Sequence, residues 1–522
     1  MKEQSPMLNG TGILCPVSSP RTGLILSEDI SVSGLPGEKN VLSQLQSERY
    51  SLLEVARGIL STILATDTNN EMQQQQILQI RQQQSQSEDR FAAKFLESKA
   101  TQDPNLPHNS SNPLMFPLLS GSQKLFVVTD IDLTKWILSD AKTFDRARTL
   151  ESFADAFQLN SVFTTTDSNL YRGLKQFFVH KTNNLPPEQY RVMQDSFQCH
   201  VDSMLTNFDS NSEVPFISKV EGMVLEAYAD SFFGMKKFPD AEECAVLIKR
   251  IWQIKSLQNN IPAQHSNQSL SLKMEQLQKR LFCIVENAQS LVDKSGSKAA
   301  DEMSQVYLSN GHESGNLLNA FIPLYEAIAR GLVYAFVELG KSPSLQEELY
   351  AEAAQNAHDE LQYCKSTSTL LHRIWQETLR LRPPTPNQTR RVTTEDNALF
   401  PYDSKVVILW GLFHQDPKVW GEDAGQFNPN RWLDLSRKQD QSYNPFGTGV
   451  QKCVAMNYAS FGGRVMLKRI VESTTIHPKN EDLEPGSIVA DQGYSRGPDP
   501  DKSVLRFATR TADQCIHLSD SF

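Results

Sequence analysis

The stretch NPFGTGVQKCVAMNYA, residues 444–459, constrains the fold of this chain more than any other feature. Its cysteine, Cys453, follows a glycine-containing bend and precedes a run with helical periodicity. A thiol at the start of a helix lies near backbone N–H groups and the positive end of the helix dipole, which together stabilise a thiolate. Cys453 is therefore a candidate nucleophile, a candidate metal ligand or an inert core side chain.

The composition excludes several classes of protein. The chain has 522 residues, a net charge of -10 and 7 cysteines, none of them in a CxxC pair. Scattered cysteines in an odd number argue against a disulfide framework or a structural zinc site, and they favour a reducing compartment. Because no Lys/Arg-rich run occurs, we expect no nucleic-acid partner. We also find no secretory signal pattern, and we predict a cytoplasmic protein without a transmembrane anchor.

Changes in composition and periodicity divide the chain into three parts. Residues 1–45 predict a flexible tail, residues 46–110 a helical glutamine-rich extension, and residues 111–522 one large domain. Residues 124–138 predict a short strand followed by a helix, and strand patterns return at 389–410. Helical patterns dominate elsewhere, and the clearest cover 186–210, 214–235, 270–294, 316–340 and 345–382. The predicted fold class is mainly α with a minor β part.

Four features follow one another in the last third of the chain. They are Glu377 with Arg380 in QETLR, Arg391 in RRVTT, Arg431 in FNPNRW, and Cys453 with Phe446 and Gly449 in the loop. Each feature alone is weak, because a Glu-x-x-Arg pair is usually a surface ion pair and a lone cysteine is usually a core residue. The four features are informative together, because they occur in a definite order and with plausible spacing along the chain.

Together these motifs resemble those of the cytochrome P-450 family of haem-thiolate enzymes. The family's haem-binding loop, Phe-x-x-Gly-x-Arg-x-Cys-x-Gly, is similar to the stretch from Phe446 to Ala455, and its Glu-x-x-Arg helix is similar to Glu377 and Arg380. The resemblance covers about residues 110–511. It implies the cytochrome P-450 fold in a single large domain. It also implies haem b, iron protoporphyrin IX, with Cys453 as the axial ligand of the iron.

The resemblance assigns roles to further side chains. Phe446 and Gly449 would shelter the sulfur of Cys453, and Arg391 would pair with a haem propionate. Three structural residues would form a buried ion network that holds the loop region rigid, and they are Glu377, Arg380 and Arg431.

The sequence departs from the family pattern where haem propionates are bound. Gln451 stands in place of the family's arginine, and Ala455 stands in place of its second glycine. The helix DSNLYRGLKQFFVH lacks the family's His-x-x-x-Arg pair, and Arg172 or Lys175 would substitute for it. We therefore expect the chain to retain haem with fewer charge-assisted contacts to its carboxylates.

The central helix departs further from the family. Members that activate dioxygen carry Ala-Gly-x-Asp/Glu-Thr there, and Pro323, Leu324, Glu326 and Ala327 occupy the matching positions. The acid is kept as Glu326, but the alcohol that relays protons is replaced by Ala327. Pro323 is expected to interrupt the helix. Glu326 is then either a proton shuttle or the helix-stabilising partner of Arg330, four residues further on.

Three functions are compatible with this pattern. The first is a monooxygenase that oxidises an apolar small molecule with electrons from a ferredoxin or a flavoprotein, because the chain has no GxGxxG loop of its own. The second is an enzyme that uses peroxide or rearranges its substrate, as family members without the threonine do. The third is a family member without monooxygenase activity that serves as a binding or interaction protein. The first function is our leading hypothesis.

Overall fold

A computed structural model describes residues 115–510, except 121–122, 129, 147–150, 184, 207–215, 261–267, 314–316, 386, 396–398, 479–487, 490–496 and 499–504. The predicted tail, 1–45, and the predicted glutamine-rich extension, 46–110, lie outside the described residues. Helices account for most of the described part and strands for little of it, which confirms the predicted mainly α class.

The helices follow one another along the chain with few interruptions. They are α1 (Ile131–Ser139), α2 (Glu151–Phe157), α3 (Ser168–Asn183), α4 (Pro187–Thr206), α5 (Phe216–Phe233), α6 (Ala241–Asn260), α7 (Gln268–Ser295), α8 (Lys298–Ser309), α9 (Leu318–Gly340), α10 (Pro343–Gln355), α11 (Glu360–Lys365), α12 (Leu370–Leu381), α13 (Trp410–His414), α14 (Pro417–Trp420), α15 (Arg437–Ser442) and α16 (Met456–Ser473). Short 3-10 turns lie at Ala357–Asp359, Pro429–Leu433 and Gly449–Gln451.

Five strands form the main sheet, in the spatial order β1-β2-β5-β4-β3. They are β1 (Met115–Ser120), β2 (Gln123–Val128), β3 (Phe144–Asp145), β4 (Asn387–Val392) and β5 (Lys405–Leu409). β2 and β5 are parallel, and the other neighbours are antiparallel. Phe126 and Val128 of β2 and Val406 and Ile408 of β5 are buried in one cluster with α1, because residues two apart in a strand share a face of the sheet.

Two small sheets contain the remaining strands. β6 (Thr474–Pro478) pairs with β9 (Leu505–Thr509), and β7 (Ile488–Val489) pairs with β8 (Gly497–Pro498), both antiparallel. β6 follows α16 directly, so this pair ties the end of α16 to the last described segment of the chain.

The single helix predicted for 345–382 is wrong, because the structure divides this range into α10, α11 and α12. α12 has its own N-cap, Thr369, whose side chain accepts the N–H of His372 at 3.1 Å. The carboxylate of Glu352 on α10 accepts the N–H groups of Leu370 at 2.8 Å and Leu371 at 3.2 Å. These side chains accept the first N–H groups of α12, which have no carbonyl of a preceding turn to bond to. A new helix therefore begins at Leu370.

α9 runs without a break through Pro323, so the predicted interruption of the helix is also wrong. Pro323 is the sixth residue of α9, and a proline there removes one backbone donor to the carbonyl four residues earlier without ending the helix. Among the described helices, α9 is the one with the length and apolarity to cross a membrane, and 94% of its apolar window is buried inside the protein.

The ring of Trp375 lies where three helices, α9, α12 and α16, meet. A Cβ on Gly331 of α9 or on Gly463 of α16 would meet this ring at less than 3.0 Å, closer than real Cβ atoms approach other atoms. Trp375 lies on α12 and is buried. The two glycines therefore allow α9 and α16 to pack closely against the same side chain of α12.

Free thiols outnumber bonded ones among the described cysteines. Cys199, Cys244, Cys364 and Cys453 are free. Cys283 forms a disulfide. The sequence, with its scattered cysteines, had indicated reduced thiols.

Candidate functional site

The loop before α16 is held by its own backbone hydrogen bonds. The N–H of Gly447 donates to the carbonyl of Asn444 at 3.0 Å, and the N–H of Cys453 donates to the carbonyl of Phe446 at 2.9 Å. Ala455 is the N-cap residue of α16 and is buried. The thiol of Cys453 thus lies between a tight turn and the first turn of a helix.

Gly449 brings this loop against the end of α1. Its φ is +73°, in the left-handed region, and a Cβ on it would lie less than 3.0 Å from the carbonyl of Leu138. A residue with a side chain would be strained by the backbone conformation and would collide with α1. Position 449 therefore requires a glycine, both for its backbone conformation and for its contact with α1.

Burial controls the ionisation of Cys453. The side chain is half-buried, and its desolvation raises the pKa of the thiol. The backbone N–H of Ala455 and the positive charges of Arg146 and Lys452 lower this pKa, but by less. The thiol therefore keeps its proton until a cation binds the sulfur, and a metal ion at this position would displace that proton.

The loop fits a haem group bound through its iron. Cys453 offers a sulfur that accepts a backbone N–H, which is typical of a thiolate ligand of haem iron. The Oε1 atom of Gln451 is buried and has no hydrogen-bond partner among the described residues, so one acceptor of the loop is left for a donor group. Phe446 and Cys453 are both partly buried and pack against the main core.

A surface cavity of about 260 Å³ opens beside Cys453, between the loop and α3. The Nζ of Lys175 donates to the carbonyl of Val450 at 2.6 Å, and Lys175 also lines the cavity. Asn183 donates to the carbonyl of Val454 at 2.7 Å. Lys175 is therefore in contact with the loop backbone, whereas Arg172, the alternative on the same helix, is exposed.

Glu377 is the centre of a buried ion network. Its carboxylate accepts hydrogen bonds from Nε and Nη2 of Arg380, both at 2.8 Å, and from Nε of Arg431 at 3.0 Å. The indole N–H of Trp432 donates to the same carboxylate at 2.9 Å. Glu377 and Arg380 have no exposed side-chain surface. The structure brings together the three residues proposed for the network, and they connect α12 to the 3-10 turn that carries Arg431.

His414 links this network to the loop, and the sequence analysis assigned it no role. Its Nδ1 lies 3.2 Å from the carbonyl of Arg380, and its Nε2 accepts the N–H of Asn444 at 3.0 Å. Arg380 in turn donates Nη1 to the carbonyl of His414 at 2.6 Å. The signal in the sequence is the stretch HQDPKVW, which places a histidine at the end of a short helix before the loop.

Arg391 lies on β4 and forms an ion pair with Asp403, with 2.5 Å between Nε and Oδ1. Its neighbour Arg390 points to the other face of the sheet and is buried. Arg146 is a further cation that sequence reasoning missed. It follows β3, its Nη2 donates to the carbonyl of Val162 at 2.6 Å, and its charge acts on Cys453.

Glu326 and Ala327 lie on α9, where Glu326 is buried and Ala327 is half-buried. Arg330, one turn further on, forms an ion pair with Glu221 of α5, with 2.6 Å between Nη2 and Oε1. The negative charges of Glu221 and Glu326 both raise the pKa of Arg330, against the lowering effect of burial. Glu326 is thus part of a buried charge cluster that includes an acid on another helix.

Comparison with known proteins extends this picture beyond the loop. The profile of the family described as "Cytochrome P450", here written P-450, matches residues 112–489, well over half of the chain. Cytochrome P-450 714A2 of Arabidopsis thaliana is 27% identical over 267 residues, which cover 48% of this chain and 47% of that protein.

Two further relatives show how widely the similarity extends. A self-sufficient cytochrome P-450 monooxygenase of Phanerodontia chrysosporium is 30% identical over 171 residues, 31% of this chain and 16% of that protein. A cytokinin hydroxylase of Arabidopsis thaliana is 24% identical over 229 residues, 40% of this chain and 44% of that protein. The matched region thus spans less than half the length of these curated relatives.

Proposed function

Because the chain belongs to the cytochrome P-450 family, we propose that it is a haem-thiolate monooxygenase that oxidises an apolar small molecule. The observation that carries the proposal is the position of Cys453, half-buried at the start of α16 and bonded through its backbone to Phe446. Haem b, when bound, would supply an iron whose thiolate ligand donates electron density and favours O–O bond cleavage. The chain would supply the sulfur, its donors and an apolar environment.

The contacts around the loop support this assignment. Cys453 would bind the iron, and the N–H of Ala455 would stabilise the thiolate that results. Lys175 would hold the carbonyl of Val450. Gln451 would donate from the Nε2 of its neutral amide where a carboxylate of the cofactor is expected. An amide binds a carboxylate more weakly than a guanidinium does, so haem would be held chiefly by the iron–sulfur bond and by apolar contacts.

Electrons would come from a separate donor protein, either a ferredoxin or a flavoprotein. The surface beside Cys453 supports this proposal, because Lys452 and Val450 are exposed there next to the cavity that Cys453 lines. An exposed cation and an exposed apolar side chain close to the sulfur suit a donor with an acidic surface. Such an arrangement would shorten the path of the electron to the cofactor.

The proposal is tested by the spectrum of the purified chain after reduction in carbon monoxide. We expect the Soret band that is characteristic of thiolate-ligated haem, and we expect Cys453→Ser to abolish it. The matched control is Cys199→Ser, because Cys199 is a free and exposed thiol away from the loop. A wild-type chain that binds no haem, or shows no thiolate-type band, would exclude the monooxygenase and favour a binding protein.

Peroxide use is a second candidate function, and Ala327 is the observation that favours it. This residue has no hydroxyl to relay protons, and the nearby acid, Glu326, belongs to the charge cluster of Arg330. The test compares turnover of a fatty acid or another apolar substrate with hydrogen peroxide and with reductase plus NAD(P)H. Turnover with peroxide alone favours the second candidate. Restoration of reductase-dependent turnover by Ala327→Thr would show that only the alcohol is missing.

A further inference from the structure

We propose that His414 is a positioning residue for Cys453, because its neutral imidazole joins the end of α12 to the first residue of the loop, Asn444. The proposal deepens the function given above and rests on it, since the sulfur that is positioned is the proposed ligand of haem iron. His414 does not contact the sulfur itself. It acts through backbone groups on both sides of its ring.

The hydrogen bonds of His414 determine its tautomer. The N–H of Asn444 donates to Nε2 at 3.0 Å, so Nε2 must be an acceptor and carry no proton. The proton of the neutral ring therefore lies on Nδ1, which is 3.2 Å from the carbonyl of Arg380 and can donate to it. One ring thus satisfies a half-buried donor of the loop and a buried acceptor of α12 at the same time.

The surroundings of His414 keep the ring neutral. The side chain has no exposed surface. Burial is the main cause that lowers its pKa to about 3, and the positive charge of Arg380 lowers it further. A protonated ring would have to turn an N–H toward the N–H of Asn444. The neutral form is therefore the one that holds the loop throughout the ordinary pH range.

The link from His414 to the sulfur is short and continuous. Asn444 is bonded to His414 through its N–H and to Gly447 through its carbonyl. The next residue after Pro445 is Phe446, whose carbonyl accepts the N–H of Cys453 at 2.9 Å. A shift of Asn444 would consequently move the turn on which the backbone of Cys453 depends.

Packing alone is the competing explanation for a buried histidine. The ring is stacked on Trp410 at 6.2 Å between centroids, and it lies 5.6 Å from the ring of Tyr443. A phenylalanine at this position would keep both aromatic contacts and lose both hydrogen bonds. A glutamine would lose the ring but place an oxygen near the position of Nε2, where it can accept the N–H of Asn444. The two explanations therefore predict opposite outcomes for the two substitutions.

The experiment compares His414→Phe, His414→Gln and His414→Asn in the full chain with haem. The readout is the ratio of thiolate-type to non-thiolate Soret band after reduction in carbon monoxide, measured together with the unfolding midpoint. We expect His414→Gln to keep the wild-type ratio. We expect His414→Phe and His414→Asn to lower it about tenfold, because each leaves the half-buried N–H of Asn444 without its acceptor.

Tyr443→Phe is the matched control. It removes the hydroxyl that donates to Gln376 but leaves an aromatic ring against His414, so the ratio should stay at its wild-type value. If His414→Phe does not fold, the comparison of His414→Asn with His414→Gln decides the matter. A wild-type ratio in His414→Phe, or equal ratios in the asparagine and glutamine variants, would overturn the proposal. A wild-type chain without any thiolate-type band would instead overturn the proposed function.

Discussion

Arg330 of α9 and Glu221 of α5 form an ion pair that is almost completely buried, with 2.6 Å between Nη2 and Oε1 and side-chain exposures of 1% and 3%. The second oxygen of Glu221 is buried without a hydrogen-bond partner among the described residues. Taking both charges out of water is costly, so the pair persists because each charge compensates the other. It also connects the helix that carries Glu326 to its neighbour α5.

Removal of one partner of this pair should be strongly destabilising. Glu221→Gln leaves the guanidinium of Arg330 with Glu326 as its remaining acidic neighbour, and we expect the free energy of unfolding to fall by about 3 kcal/mol. Urea denaturation measures the change. Glu422→Gln is the control, because it makes the same substitution at an exposed position and should change stability by less than about 0.5 kcal/mol. Equal effects of the two substitutions would contradict a role for the pair.

Arg431 should not tolerate replacement by lysine, although the charge is kept. Its guanidinium donates to Glu377 at 3.0 Å, to Asp423 at 2.9 Å and to the carbonyl of Trp420 at 3.2 Å. A single ammonium group cannot reach all three acceptors, so we expect Arg431→Lys to lower the free energy of unfolding by about 2 kcal/mol. Thermal or urea unfolding tests this. Arg437→Lys, at an exposed position, should be neutral, and a neutral Arg431→Lys would refute the argument.

The parts of the site that follow from local spacing were accessible from the sequence. Glu377 and Arg380 share a helix face because they are three residues apart. The site residues Phe446, Gly449, Gln451, Cys453 and Ala455 all lie in one short stretch of sequence. Contacts between distant segments were not accessible. The pairing of Arg330 with Glu221 depends on how α9 packs against α5, and the bonds of His414 depend on three separate segments meeting. The hydrophobic periodicity of a sequence does not indicate which distant segments come into contact.

Tertiary contacts contribute to two errors in the prediction of helices. The break between α11 and α12 depends on the carboxylate of Glu352, which reaches the start of α12 from α10. The continuity of α9 through Pro323 depends on burial of the helix among its neighbours, which outweighs the loss of one backbone bond. The break before α12 also has a local signal that was missed, the N-cap residue Thr369. For Pro323 the local preference was read correctly, and tertiary contacts decided the outcome.

His200 of α4 should make stability depend on pH. Its ring is buried between Asp230, at 3.4 Å, and Glu226, at 3.6 Å, both on α5. Burial opposes the charged form, but hydrogen bonds to the two carboxylates raise the pKa of His200 to about 9. Because the pKa is raised above the ordinary value of 6.5, the stabilisation is complete below pH 6.5 and is lost as pH rises through 9.

This dependence is measured by urea unfolding of the wild type and of His200→Gln between pH 6 and about pH 10. The difference between the two free energies of unfolding should shrink by about 3 kcal/mol over this range. His358→Gln, which changes an exposed histidine, should differ from the wild type by a constant amount. A constant difference for His200→Gln as well would show that the ring is not a charged link between α4 and α5.

Gly449 and Gly234 permit the cost of a collision to be separated from the cost of backbone strain. Both have a φ of +73°, but a Cβ on Gly234 would meet nothing within 4 Å, whereas a Cβ on Gly449 would collide with the carbonyl of Leu138. We expect Gly234→Ala to cost about 1 kcal/mol and Gly449→Ala about 2 kcal/mol more. Only Gly449→Ala should also weaken haem binding, because α1 and the loop must separate. Equal losses of stability and unchanged haem affinity in both variants would show that the contact with α1 does not position the loop.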